Sequence, residues 1–183
     1  MQTAEATQLF DLIRQNAAEF KRLCEGLDEE TASRAPEGRW SPKEIVSHLC
    51  GPEGMGMMPT FRAFLEEDVP RLDIEVEDAF FSEARSRMTL EELLAEFERE
   101  YGSIAAFVAD LSEEQLSRKA HIPMLKETPL SEYPTLAGWI RGIGEYHLGM
   151  HIDHMREILD ALGVAPRPFR AAESLESQHL HAD

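Results

Sequence analysis

The sequence predicts an all-α protein, a four-helix bundle with one long connection in its middle. Three observations carry that prediction. Apolar residues recur at spacings of three and four through most of the chain, the period of helices that bury one face. Helix starts are spelled out as Ser/Thr-x-x-Glu boxes, in which the first and fourth residues each accept a hydrogen bond from the other's backbone N–H. No segment shows the apolar–polar alternation of a half-buried strand.

The first helix is expected from about residue 5 to 25, with Leu9, Ile13, Ala17, Phe20, Leu23 and Leu27 on one stripe and Gly26 placed to end it. The second begins at Trp40-Ser41-Pro42-Lys43-Glu44. Ser41 is its N-cap, Pro42 takes the first helical position, where a missing N–H costs nothing, and Glu44 closes the box. Ile45, Val46, His48 and Leu49 follow, and then Gly51-Pro52-Glu53-Gly54-Met55-Gly56 interrupts the pattern. Either the helix stops near Cys50 and restarts around Pro59, or it bends there. The restart runs over Thr60 to Glu67, carrying Phe61, Phe64 and Leu65.

Residues 68–86 contain Pro70 and many acids and read as a long crossover. Thr89-Leu90-Glu91-Glu92 opens the third principal helix, whose stripe is Leu93, Leu94, Phe97, Tyr101, Ile104, Val108 and Leu111. Ser112 to Gln115 caps a short further turn, and 118–132 reads as loop around Pro123 and Pro129. The fourth helix is expected from near Pro134 to Leu162, ending at Gly163. Residues 1–165 then form the bundle domain and 166–183 a polar tail, loosely attached or disordered. Four helices with one apolar face each satisfy one another by bundling.

The 35 acidic against 18 basic side chains give a formal net charge of −17. Such a chain repels phosphate backbones and anionic membrane surfaces, so neither nucleic acid nor membrane is expected as a partner. With 183 residues, 43% of them hydrophobic, the core needs no disulfide staple. Cys24 and Cys50 are too few for a disulfide framework. The N-terminus has no secretory pattern and no run is apolar enough to span a bilayer. A cytoplasmic protein is the expectation.

Chemistry is suggested by histidine. His147, His151 and His154 share the last helix, and at about 100° per residue they fall on a strip about 60° wide. Ile140, Ile158 and Leu162 lie on the same strip, which makes it core-facing. Imidazoles at i and i+4 are neighbours that can converge on one ion. His48, three residues after Ile45 on the apolar side of the second helix, is the obvious third donor. A lone core-facing histidine, or a lone H-x-x-x-H without the HExxH glutamate, is a weak signal. Together they point to metal, because burying several imidazoles without partners costs several kcal/mol. His121, His179 and His181 fall in loop or tail and read as solvated.

The segments Gly26-Leu27-Asp28-Glu29-Glu30 and Ala35-Pro36-Glu37-Gly38-Arg39-Trp40-Ser41-Pro42-Lys43-Glu44-Ile45-Val46-Ser47-His48-Leu49 resemble the DinB/YfiT-like family. Its hallmark is W-S-x-x-E-[IL]-x-x-H-L opening the second helix, paired with a late H-x-x-x-H on the fourth. The resemblance spans about residues 5 to 162, its specific part being these two motifs. It implies an up-down-down-up bundle that holds a divalent metal between three histidines. By motif position these are His48, His147 and His151. His154 is the alternate ligand, since alignment on Ile158 would bring it onto a ligand position, but only His147 and His151 keep the i, i+4 spacing. The Gly51–Gly56 interruption departs from the family, which more often continues its helix there.

Three neutral imidazoles leave coordination positions open, the pattern of a catalytic ion, and they suit zinc, nickel or iron and also copper. Related families include bacillithiol S-transferases and mycothiol-dependent maleylpyruvate isomerase, so the resemblance implies a metal-dependent transferase joining a low-molecular-weight thiol to a small electrophile. The contrasting class is a stress-related, non-catalytic bundle that binds a metal or small ligand, or dimerises through a helix face; a homodimer suits either class.

Glu44 lies one turn before His48 and is a candidate to orient it, though its capping role is preferred. Tyr146 and Asp153 flank the histidine strip as surface residues, Trp40 reads as a staple under the helix start, and Met55, Met57 and Met58 as gap-filling core. Cys50 lies about 200° around the helix from His48, so it is not expected to share an ion. No phosphate-binding, serine-nucleophile, dithiol or dinucleotide motif is present.

Overall fold

Each helix begins where the sequence supplies a cap. In the computed structural model, which describes residues 3–75 and 78–165, Thr3 Oγ1 accepts from the Ala6 N–H at the start of α1 (Ala4–Cys24). Gly26, at φ 70°, takes the left-handed conformation that ends it. A short helix that the periodicity did not show, α2 (Glu29–Ser33), follows, capped by Asp28. Five residues are too few for a periodic signal. At α3 (Pro42–Leu49) both halves of the capping box form, with Ser41 Oγ accepting from Glu44 N–H and Glu44 Oε2 from Ser41 N–H.

The helix ends rather than bends after Leu49. Gly51, Gly54 and Gly56 all adopt φ near +70°, and α4 (Met58–Glu66) starts anew. No side chain of its own caps α4; Glu100 Oε1 instead accepts from Met57 N–H at 2.6 Å and Met58 N–H at 3.2 Å. A Cβ at Gly56 would collide with that carboxylate, so glycine here permits the close approach. The crossover leads into a second unforeseen short helix, α5 (Glu83–Arg87), and then α6 (Leu90–Ala109) behind the Thr89–Glu92 box. α7 (Glu113–Leu116) is the expected short turn.

The last principal helix is not one uniform α-helix. It consists of α8 (Leu136–Arg141), a π-helical segment Gly142–His147, and α9 (Leu148–Ala161). Strand-like pairing among the described residues is confined to two isolated bridges, Arg71 with His121 and Lys119 with Thr135. The expected tail, 166–183, lies outside the described residues.

Contacts along the helices fix their directions. Glu19 pairs with Arg156 while Asn16, earlier in α1, bonds Gly144, so α1 and α9 run parallel. Arg85 bridges Ser47 to Glu96, Glu100 meets Met57, and Phe107 meets Phe61, so α3 and α4 run parallel to α6. Arg39 lies near Glu157 and His48 near His147, which sets α3 antiparallel to α9. The result is the up-down-down-up order, with α1 and α3 each packed against both α6 and α9. Phe20, Phe61, Phe64 and Phe97 are wholly buried at its centre. Cys24 and Cys50 are free buried thiols, both pushed up to about 12 by burial and therefore protonated. Among the described residues no helix is long and apolar enough to cross a membrane.

Candidate metal centre

Three imidazoles meet where the last turn of α3 faces the start of α9. His48 comes from α3, His147 closes the π-helical segment, and His151 sits in the first turn of α9. One ring nitrogen from each lies within 4.8 Å of the others. His48 Nε2 is 2.9 Å from His147 Nε2, and the His48 and His151 ring centroids are 4.6 Å apart. His48 and His151 are buried and His147 half-buried.

The π-helical segment sets the face of α9. Leu136, Trp139, Ile140 and Ile143 form one buried stripe and Leu148, Ile152, Met155 and Leu159 the next. From residue 140 to 148 a uniform α-helix would rotate the stripe by about 80°, at about 100° per residue. The wider π turns absorb that offset. Ile140 therefore does not share a strip with His147, as it would on the unbroken α-helix expected from the sequence. Asn16 Nδ2 donates to the Gly144 carbonyl at 2.7 Å, satisfying a backbone acceptor within the π turns.

His48 is oriented by the crossover. Its Nδ1 lies 2.6 Å from the carbonyl oxygen of Asp78. A carbonyl only accepts, so the ring proton sits on Nδ1 and Nε2 presents a lone pair to the other two histidines. Phe80 lies parallel to the His48 ring (6.0 Å, 7°), and the Trp40 ring is 5.1 Å from it. Trp40 also lies parallel to His151 (6.3 Å, 3°), so it is more than the staple expected. Asp78 and Phe80 were missed by sequence reasoning. The Asp78 group that acts is a backbone carbonyl, which every residue type has, so no signal in the sequence marks it.

Burial holds all three rings neutral. It lowers His48 below the usual imidazole range against the opposing pull of Asp78. It lowers His147 to about 4, with His48 adding to the effect, and His151 to about 2, with His147 adding. Neutral imidazole is the form that binds metal. His147 Nδ1 and both nitrogens of His151 are buried without a hydrogen-bond partner among the described residues. Three neutral imidazoles converging beside unpartnered buried nitrogens fit a divalent cation, and no carboxylate among the described residues joins the group.

The remaining expectations sort clearly. His154 is half-buried, 5.8 Å from His151 and 6.1 Å from Trp40 by ring centroids, and outside the converging set. Glu44 is engaged by Ser41 in its cap. Tyr146 is exposed and Asp153 pairs with Arg156. Cys50 points to the Leu93 carbonyl. Met57 and Met58 pack against the core but Met55 is 63% exposed, so it fills no gap. His121 is not simply solvated: it stacks on Tyr133 at 4.8 Å and lies 3.6 Å from the Glu132 carboxylate. His179 and His181 lie outside the described residues.

Fold and site together define a helical bundle with a three-imidazole cluster fit for a metal ion. The chain belongs to the DinB superfamily, whose family model matches residues 12–155. Its structure is similar to that of YfiT from Bacillus subtilis, described as a probable metal-dependent hydrolase with an unusual four-helix bundle topology. The two share 21% identity at a TM-score of 0.72, over 90% of this chain and 92% of that one. This likeness establishes the fold. No curated protein matches the sequence.

Proposed function

We propose that the protein is a divalent-metal-dependent enzyme acting on a small molecule, with His48, His147 and His151 as its ligands. The observation that carries this reading is the convergence of three neutral imidazoles, one ring nitrogen from each within 4.8 Å of the others, with buried nitrogens of His147 and His151 left unpartnered among the described residues. Three protein ligands leave a position open to substrate. Zinc, nickel or iron in this site would supply Lewis acidity, lowering the pKa of a thiol or water or polarising a carbonyl. The chain's own residues hold the donors ready. Asp78 keeps the His48 proton on Nδ1, and Trp40 and Phe80 shield the rings from water.

The leading reaction class is transfer of a low-molecular-weight thiol to a small electrophile, supported by the resemblance of the two histidine motifs to thiol-transferase families. A cytoplasmic location would keep such a thiol reduced. The second reading is hydrolysis, favoured by the description of the YfiT structure. Metal analysis of purified protein, followed by turnover of a model electrophile with a panel of thiols and of simple esters and amides, with and without chelator, separates the readings. Chelator-sensitive thioether formation supports transfer, and chelator-sensitive release of acid supports hydrolysis. Absence of metal after reconstitution with zinc, nickel and iron would favour the non-catalytic bundle.

A further inference from the structure

The crossover carries a buried guanidinium. Arg85 is 3% exposed, and its Nη1 faces the carbonyls of Gly51 (2.7 Å), Ser47 (3.1 Å) and Phe80 (3.2 Å) and the Ser47 hydroxyl (3.3 Å). Its Nε donates to Glu96 at 3.2 Å, which supplies the countercharge. Ser47 and Gly51 flank the end of α3, and Ser47 is the residue before His48. Phe80 belongs to the turn whose Asp78 carbonyl accepts the His48 proton. Ser47 Oγ closes the same ring of contacts by donating to the Phe80 carbonyl at 2.9 Å. One planar fork therefore ties the backbone that carries His48 to the backbone that orients it.

The turn is held in an unfavourable conformation. Phe80 sits at φ 47°, left-handed backbone that a bulky L-residue rarely adopts. Asp78 Oδ1 accepts from the Phe80 N–H at 2.7 Å and helps to keep it there. Such a residue persists only where its surroundings over-determine it. In that conformation the Phe80 ring lies on His48 while the Phe80 carbonyl turns back to Arg85 and Ser47.

We propose that Arg85 is a positioning residue for His48: by clamping the 78–80 turn to the end of α3, it fixes the imidazole with its proton on Nδ1 and Nε2 bare towards His147 and His151. The consequence for metal binding rests on the ligand set proposed above; the consequence for the His48 tautomer does not.

The full chain is the material for the test, with two readouts. Ring-nitrogen NMR of the metal-free protein reports the tautomer of His48, and competition with a zinc chelator reports zinc affinity. Arg85→Met is expected to populate the Nε2–H form of His48 and to weaken zinc about 10–100-fold, the usual cost of losing an outer partner of a ligand. Should that variant fail to fold, Arg85→Lys keeps the charge opposite Glu96 but lacks the fork, and the same shifts are expected in smaller degree. A folded variant with His48 still protonated on Nδ1 and with wild-type zinc affinity overturns the proposal, because loss of stability alone would leave the tautomer unchanged. His48→Ala is the control for the ligand set. If it binds zinc as the wild type does, or if neither binds, the ligand reading fails, and the tautomer alone then decides the role of Arg85.

Discussion

The two sides of the histidine cluster are built differently. On the α3 side every feature of His48 is specified: its Nδ1 has an acceptor in Asp78, its faces are covered by Phe80 and Trp40, and Arg85 ties the backbone around it. On the α9 side His147 and His151 are placed mainly by helix geometry and packing; His147 Nε2 meets the His48 ring, and the other three ring nitrogens have no partner among the described residues. One half of the site is preorganised by hydrogen bonds; the other stores unsatisfied polar groups that a cation would relieve. A binding site gains affinity from both devices, since the first lowers the ordering cost and the second raises the gain on binding.

That contrast can be broken in four ways, beginning with the largest effect. Replacing His151 by alanine should cost more metal affinity than loss of an outer partner does, on the order of 100-fold or more, seen as metal lost from the purified protein. Replacement by leucine should separate the two sides in the metal-free state. His48→Leu leaves the Asp78 carbonyl without its donor and should destabilise the protein by about 1–3 kcal/mol in urea unfolding. His151→Leu removes two unpartnered nitrogens and should stabilise it by about 1 kcal/mol, while abolishing the metal-induced rise in Tm. Equal effects of the two substitutions would erase the distinction.

Asn16→Ala removes the donor to the Gly144 carbonyl and should cost about 1 kcal/mol by the same assay, with zinc affinity falling because the π turns that present His147 loosen. The smallest signal near neutrality is the pH dependence. His147 titrates at about 6.5 when unfolded and at about 4 when folded. The unfolded chain therefore binds more protons below about pH 6.5, so metal-free stability is full above that pH and falls as pH drops towards 4. Tm measured from pH 7.5 to 4.5 should decline, and more steeply in wild type than in His151→Leu.

Much of this architecture is legible in the sequence because it is local. The boxes at Ser41, Thr89 and Ser112 each form as written, since a cap needs only residues three apart. The apolar stripes place the four principal helices, and the core-facing positions of His48 and His151 follow from the same period. The short helices α2 and α5 escape that reasoning because they span little more than one turn each and owe their stability to what they pack against. The π-helical segment escapes it too. Its glycines at 142 and 144 permit it, but the packing of Ile13 against Gly144 and the bond from Asn16 come from α1, over a hundred residues away.

The residues that convert a cluster of histidines into an oriented site belong to the tertiary structure. Phe80 and Arg85 lie in what reads as an acidic connection, and nothing in their spacing ties them to residue 48. Asp78 acts on His48 through its backbone. The sequence by itself determined that there would be four amphipathic helices and that imidazoles, rather than carboxylates, would line their inner faces, because periodicity and capping are properties of neighbours along the chain. Only the folded chain decided which imidazoles converge and which nitrogen of His48 carries the proton. Those outcomes depend on hydrogen bonds closed between segments about 30 residues apart and helices about 100 apart, and such bonds have no local pattern to read.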